Sequence, residues 1–154
     1  MKYIILAQLL IFTSYILYVI IGWGVQKSIS ESWYVVKQEY LFTWMCMLIG
    51  VLHFAHIPQH PLFFLSGSAL AFVGTASEFK DKGMTKITHY MGAGISIASS
   101  ILALFSLGIW WILVLNVISM ATFSLFKPKN YVWWLELIAF YSIFGALIQY
   151  YFIK

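Results

Sequence analysis

The sequence predicts an all-α integral membrane protein, a compact polytopic bundle of six transmembrane helices. Of its 154 residues, 62% are hydrophobic and only 9% are charged, whereas a soluble domain carries roughly 25% charged residues. The apolar residues are concentrated in six segments, and the lysines lie mostly between these segments. A surface this poor in charge suits lipid better than water, so we expect an integral membrane protein.

The six apolar segments define the expected helices. The first is long enough to cross a hydrocarbon core about 30 Å thick at 1.5 Å per residue. Pro58 and Pro61 separate the second helix from the third, Gly108 separates the fourth from the fifth, and the sequence KPKN separates the fifth from the sixth. Within a single transmembrane domain, residues 1–154, the expected helices cover about residues 3–23, 40–57, 62–77, 87–106, 109–126 and 131–153.

The distribution of lysines predicts the orientation of this bundle. With six spans, the loops after the first, third and fifth helices meet at one end, which we call the lysine-rich end. That end has seven lysines and the opposite end has two. By the positive-inside rule, the odd-numbered loops should be cytoplasmic and both termini external, in a membrane of the bacterial inner-membrane type.

Small residues at four-residue spacing predict close contacts between helices. Gly92 and Ser96 repeat in the fourth helix, and Gly67 and Ala71 repeat in the third. Residues of this kind allow two helix backbones to approach closely in lipid. We therefore expect the third and fourth helices to pack tightly through these four positions.

Three of the four histidines occur together at the end of the second helix and in the turn that follows. His53 and His56 are three residues apart and so share a helix face. They are either a pair of metal ligands or polar residues near the lipid head groups. A zinc site needs three or four converging ligands, and no carboxylate is close in the sequence, so the head-group interpretation is favoured.

A polar pocket is predicted at the lysine-rich end. Glu136 lies inside the sixth apolar segment, where a carboxylate is costly unless it faces the bundle and finds a partner. His89 opens the fourth helix at the same end, and the sequence SISES provides Ser30 and Glu31. We expect Ser30, Glu31, His89 and Glu136 to line one ligand-binding pocket, with His89 or a loop lysine beside Glu136.

The chemistry of this pocket remains open at the level of sequence. Signatures of serine esterases, zinc proteases, redox dithiols and phosphate loops are absent, so no catalytic residue and no cofactor is expected. The favoured function is non-catalytic lipid binding or membrane organisation. One alternative is a metal-dependent intramembrane lipid hydrolase whose ligands would be His89, Glu31, Glu136 and Asp81. The other is a small channel or transporter subunit, which would have to form oligomers.

The expected partners follow from the same composition. Membrane lipids are the first, and a second copy of the chain or another membrane protein is a further possibility. Nucleic acid is excluded, because the lysines do not cluster in one basic run.

The residues Ile29 and Ser30 in SISES, and the sequence HYMGA at residues 89–93, carry a resemblance to a known group. In these features the chain resembles the DRAM-like and Sfk-like six-helix membrane proteins and their uncharacterised bacterial relatives. The resemblance implies a membrane-resident, lipid-associated role without an established enzymatic reaction. It also implies a first loop outside the cell, opposite to the orientation that the lysines predict.

Overall fold

The computed structural model describes residues 1–77, 80 and 83–153, and these residues form helices and loops without a strand. Six α-helices occur in this part of the chain, as the sequence predicts. They are α1 (Lys2–Trp23), α2 (Tyr40–His53), α3 (Leu62–Thr75), α4 (Gly83–Ser106), α5 (Trp111–Phe126) and α6 (Tyr131–Ile148).

Three shorter helical segments complete the fold. A 3₁₀ helix, Ser30–Tyr34, lies in the first loop, a second one, Phe54–His56, extends α2, and a π-helical turn, Gln149–Ile153, extends α6. The fourth helix begins at Gly83 rather than near residue 87, because its first turn, GMTK, has one large apolar residue among polar ones and so gives a weak hydrophobic signal. The fifth begins at Trp111 rather than at Ile109, after a turn in which Gly108 has a φ of 85°.

Three helices are long and apolar enough to cross a membrane: Lys2–Trp23, Gly83–Ser106 and the continuous segment Tyr131–Ile153. Among the shorter helices, α3 packs between α2 and α4, α2 also contacts α1, and α5 packs against α6. The bundle closes through contacts of α6 with α1 and α4. Each shorter helix therefore contacts one of the three long helices, and α3 joins α2 to α4.

Glycines set the distances between the helices around α3. A β-carbon on Gly92 of α4 would lie 3.0 Å from the carbonyl oxygen of Ala69, and the Ser66 hydroxyl donates to the carbonyl oxygen of Ser96 at 2.9 Å. The predicted close contact of α3 with α4 is thus confirmed at Gly92 and Ser96. The prediction for Gly67 is wrong, because Gly67 faces Gly50 of α2 instead.

The core has two apolar clusters, one towards each end of the bundle. The cluster at the lysine-rich end includes Phe12, Val19 and Trp133, and two residues of the first loop, Ile29 and Val36, are inserted into it. The cluster at the other end is built around buried side chains of α4, α5 and α6. Outside the core, large apolar side chains such as Ile21 and Leu125 are exposed along the helices.

Candidate functional site

The first loop folds back onto the lysine-rich end because two of its side chains are apolar. Ile29 and Val36 are almost completely buried in the core cluster. Between them, the Ser32 hydroxyl donates to the carbonyl oxygen of Ile29 and lies 2.5 Å from the hydroxyl of Tyr15 in α1. Burial and these hydrogen bonds fix the short 3₁₀ helix, which carries Ser30 and Glu31 at its start.

Glu136 receives a backbone donor from this loop. The N–H of Ile29 donates to the Glu136 carboxylate at 2.5 Å. The expected partner was His89 or a lysine, and the structure gives a main-chain amide in their place. A carboxylate that accepts from a backbone N–H forms a charge-assisted hydrogen bond. Glu136 therefore attaches the first loop to α6.

Ser30 and His89 form a hydrogen bond in which the donor and the acceptor can be assigned. The Nδ1 atom of His89 lies 3.1 Å from the carbonyl oxygen of Ala76, and its Nε2 atom lies 2.8 Å from the Ser30 Oγ. A carbonyl oxygen can only accept, so Nδ1 carries the proton and donates. In the neutral imidazole Nε2 is then an acceptor, and it receives the hydroxyl hydrogen of Ser30. Both side chains are buried.

Glu31 is turned towards the loop between α3 and α4. Its carboxylate lies 3.6 Å from the Lys80 ammonium group, and both side chains are partly exposed. Lys80 also lies over the ring of Tyr34 at 4.3 Å, and its backbone N–H donates to the Tyr34 hydroxyl at 2.8 Å. An ion pair exposed to this extent contributes little to stability, so its main effect is to position the two charges.

All four predicted pocket residues line one cavity of about 470 Å³. This polar cavity lies between the first loop, α4 and α6, within the size range of small-molecule sites. Its lining includes Ser28, Ser30, Glu31, His89, Glu136, Lys27, Tyr90 and Asn130. Lys27 and Asn130 are additions to the predicted set. Lys27 directly precedes SISES in the sequence, and this proximity was the available indication that it would line the same cavity.

An apolar groove of about 540 Å³ continues from the polar cavity towards the middle of the bundle. It lies between α4, α5 and α6, and its lining includes Gly94, Ile97, Ile101, Leu102, Val117, Met120 and Ala139. Glu136 lines both the polar cavity and this apolar groove. A smaller cavity of about 30 Å³, also lined by Ser30 and Glu136, lies beside them.

The described residues do not form a set of ligands that would support the metal-binding alternative. Among them, no group of three or more His, Cys, Asp or Glu side chains is placed to hold a metal ion. Asp81, one of the four candidate ligands, lies outside the described residues.

His53 and His56 do not lie at the surface near the lipid head groups, where the head-group interpretation places them. Both are buried in the bundle. Gln8 of α1 lies between them, with its Nε2 at 2.8 Å from the Nδ1 of His53 and its Oε1 at 3.3 Å from the Nε2 of His56. The Nδ1 of His56 in turn lies 3.1 Å from the Tyr151 hydroxyl. The head-group interpretation is wrong, because the shared face of the two histidines points to α1 and α6.

Two further polar side chains, those of Asn116 and Gln149, form hydrogen bonds between helical segments. Asn116 of α5 donates to the Ser142 hydroxyl of α6 at 2.9 Å, and the Trp111 indole N–H donates to Gln149 at 2.6 Å. Both contacts join α5 to the α6 segment, so these amides are hydrogen-bond partners between helices.

No protein-family model matches the chain, and no curated protein or solved structure matches it. The site is therefore interpreted from its own geometry: an all-helical bundle with a polar cavity at one end and an apolar groove leading away from it.

Proposed function

We propose that the chain is a multi-pass membrane protein with six spans and the lysine-rich end in the cytoplasm. The three long apolar helices and the exposed apolar side chains support a lipid environment. The α-helical parts of α2, α3 and α5 have 14, 14 and 16 residues, which is about 21–24 Å at 1.5 Å per residue. Each is packed along a longer helix, so tilt and local thinning of the bilayer accommodate the difference.

We further propose that this protein binds a single phospholipid, with the head group in the polar cavity and an acyl chain in the apolar groove. The observation that carries the proposal is that Glu136 lines both spaces. Along α4, the polar cavity is lined by residues up to Ala93 and the groove by residues from Gly94 to Leu102. A polar space followed directly by an apolar one matches the structure of a phospholipid, in which a polar head group is followed by apolar acyl chains.

The dimensions of the groove suit one leaflet. Gly94 and Leu102 are eight residues apart, which is about 12 Å along a helix. One leaflet contributes about half of the ~30 Å hydrocarbon core. An acyl chain in the groove would therefore run alongside those of neighbouring lipids, while its head group stays at the level of the first loop.

The charges around the cavity favour a zwitterionic head group. Of the described residues, Lys27, Glu31 and Glu136 line it, and Lys80 is paired with Glu31, so two positive and two negative side chains balance among them. The phosphate of phosphatidylethanolamine would face Lys27 and the amide of Asn130. Its ammonium group would face the Glu136 carboxylate, as buried charges require opposite partners.

Crosslinking with phosphatidylethanolamine that carries a diazirine on its acyl chain tests this function. The purified protein in nanodiscs should be labelled on peptides from α4 and α6 that line the groove. Gly94→Leu should reduce labelling about tenfold or more, corresponding to at least about 1.4 kcal/mol of binding free energy. A β-carbon at Gly94 meets no atom within 4 Å, so the new side chain begins in open space at the wall of the groove.

Gly22→Leu is the matched control. Gly22 lies in α1, also has nothing within 4 Å of its β-carbon, and does not line the groove. Equal labelling of both variants and the wild type, or labelling spread evenly over all helices, would show general lipid contact and contradict the proposal. Phosphatidylglycerol with the same acyl chain should compete more weakly than phosphatidylethanolamine.

A further inference from the structure

We propose that Ser30 and His89 form a nucleophile–base dyad that cleaves an acyl ester of the bound lipid. The inference rests on the proposed lipid binding and goes beyond it, from holding a lipid to reacting with it. It depends on three features of the polar cavity: the hydrogen bond between the two side chains, the carbonyl that orients the imidazole, and the position of the pair relative to the apolar groove.

The hydrogen bond has the geometry that activates a serine. The Ser30 Oγ lies 2.8 Å from the Nε2 of His89, within the range of 2.6–3.2 Å expected for a nucleophile and its general base. A weakly acidic hydroxyl becomes a nucleophile when an adjacent base takes its proton as the new bond forms.

The imidazole is held in the tautomer that a base requires. Its Nδ1–H donates to the carbonyl oxygen of Ala76 at 3.1 Å, so Nε2 keeps a free electron pair towards Ser30. In serine hydrolases a third group orients the histidine in the same way. Here the third group is a backbone carbonyl at the end of α3, and α3 is fixed against α4 through Gly92.

Ser30 also lies near Glu136, the residue that lines both the polar cavity and the apolar groove. Ser30 lines the polar cavity and, with Glu136, the small cavity beside it. The ester groups of a phospholipid join its polar head to its acyl chains, so they lie at the border between the cavity and the groove. The other cavity serine, Ser28, accepts a hydrogen bond from the Glu31 N–H at 3.1 Å, and this bond distinguishes it from Ser30.

The reaction balances with water as the second substrate. The Ser30 oxygen attacks the ester carbonyl carbon while His89 Nε2 takes the hydroxyl proton. The bond from carbon to the glycerol oxygen breaks, and the histidine gives its proton to that oxygen, which leaves an acyl-serine and a lysolipid. His89 then takes a proton from water, the hydroxide attacks the acyl carbon, and the fatty acid leaves as the Ser30 hydroxyl is restored.

Glu136 acts as a positioning residue in this scheme. Its carboxylate accepts from the N–H of Ile29, the residue before Ser30, and so fixes the backbone that presents the nucleophile.

An alkyl fluorophosphonate, which forms a covalent bond only with an activated serine, tests the dyad in the full chain in nanodiscs. The expected result is one adduct, located at Ser30 by peptide mass spectrometry. Ser30→Ala should abolish it. His89→Gln should slow labelling about 100-fold or more, which is the contribution of a general base. Ser106→Ala, at an exposed serine at the end of α4 that does not line the cavity, is the control and should label like the wild type.

A second measurement separates this inference from lipid binding. The diazirine lipid should still crosslink to the groove in the Ser30→Ala variant, and phosphatidylethanolamine vesicles should release fatty acid only with the wild type. A diether analogue, which has no ester carbonyl, should compete for binding. Lipid crosslinking without a Ser30 adduct and without fatty-acid release would overturn the dyad and leave binding intact. Loss of crosslinking in the wild type would overturn both.

Discussion

Gly50 of α2 and Gly67 of α3 meet backbone to backbone: a β-carbon added to Gly50 would lie 2.6 Å from the carbonyl oxygen of Gly67. Real β-carbons do not approach an oxygen so closely, so neither position accepts a larger residue unless the helices separate. The Ala76 carbonyl that accepts from His89 lies directly after α3, so the spacing of α2 and α3 also affects the position of this carbonyl.

Gly50→Ala should therefore lower the free energy of unfolding. We expect a loss of about 1–3 kcal/mol, the usual cost of overpacking. Unfolding in mixed micelles by a denaturing detergent measures it. Gly94→Ala is the control, since its β-carbon meets open space and alanine is the better helix former. Equal stability of the two variants would show that α2 and α3 separate without cost.

Glu136→Leu should loosen the first loop, and Glu136→Gln should not. Leucine leaves the Ile29 N–H without its acceptor, at a cost of about 1–3 kcal/mol. Glutamine keeps an oxygen in nearly the same place. Amide hydrogen exchange of residues 28–33 should be faster in the leucine variant alone. Similar acceleration in both would mean that the charge of Glu136, rather than its role as an acceptor, fixes the loop.

Gln8→Leu should be strongly destabilising. It leaves the His53 Nδ1 and the His56 Nε2 without their Gln8 partner, and two such losses together cost about 2–6 kcal/mol. Gln59→Leu is the matched control in the same unfolding assay. The buried Oε1 of Gln59 has no hydrogen-bond partner among the described residues, so its removal should be neutral or stabilising. The reverse order of stabilities would refute the assigned network.

Cysteine labelling in intact cells tests the six-span topology. In a Cys46→Ala background, Lys129→Cys should be protected from a membrane-impermeant maleimide, because the lysine-rich end is proposed to face the cytoplasm. Ser106→Cys, an exposed position at the end of α4, should react. Reaction at position 129 and protection at position 106 would reverse the orientation, in agreement with the family resemblance instead of the lysines.

Hydropathy was sufficient to predict the six helices, because each helix is a continuous run of mostly apolar residues in the sequence. It was less reliable at their ends. The first turn of α4, beginning at Gly83, and the 3₁₀ helix at Ser30 mix polar and apolar residues, so their composition does not distinguish them from loops.

Counting helices is enough to predict that three residues lie at one end of the bundle: Ser30, His89 and Glu136. The reason is that alternate connections of an antiparallel bundle lie at the same end. Their specific contacts do not follow from it. The partner of Glu136 is a backbone amide, and every residue except proline has one, so no side-chain pattern could identify Ile29.

The sequence by itself determined an all-helical chain with an apolar exterior, and the residues that meet at its lysine-rich end. Tertiary structure alone decided that Gly67 meets Gly50 instead of α4, that His53 and His56 face Gln8, and that a groove opens between α4, α5 and α6. The physical reason is helical periodicity. It shows which residues share a face of one helix, but the helix that covers this face is selected by packing among all six.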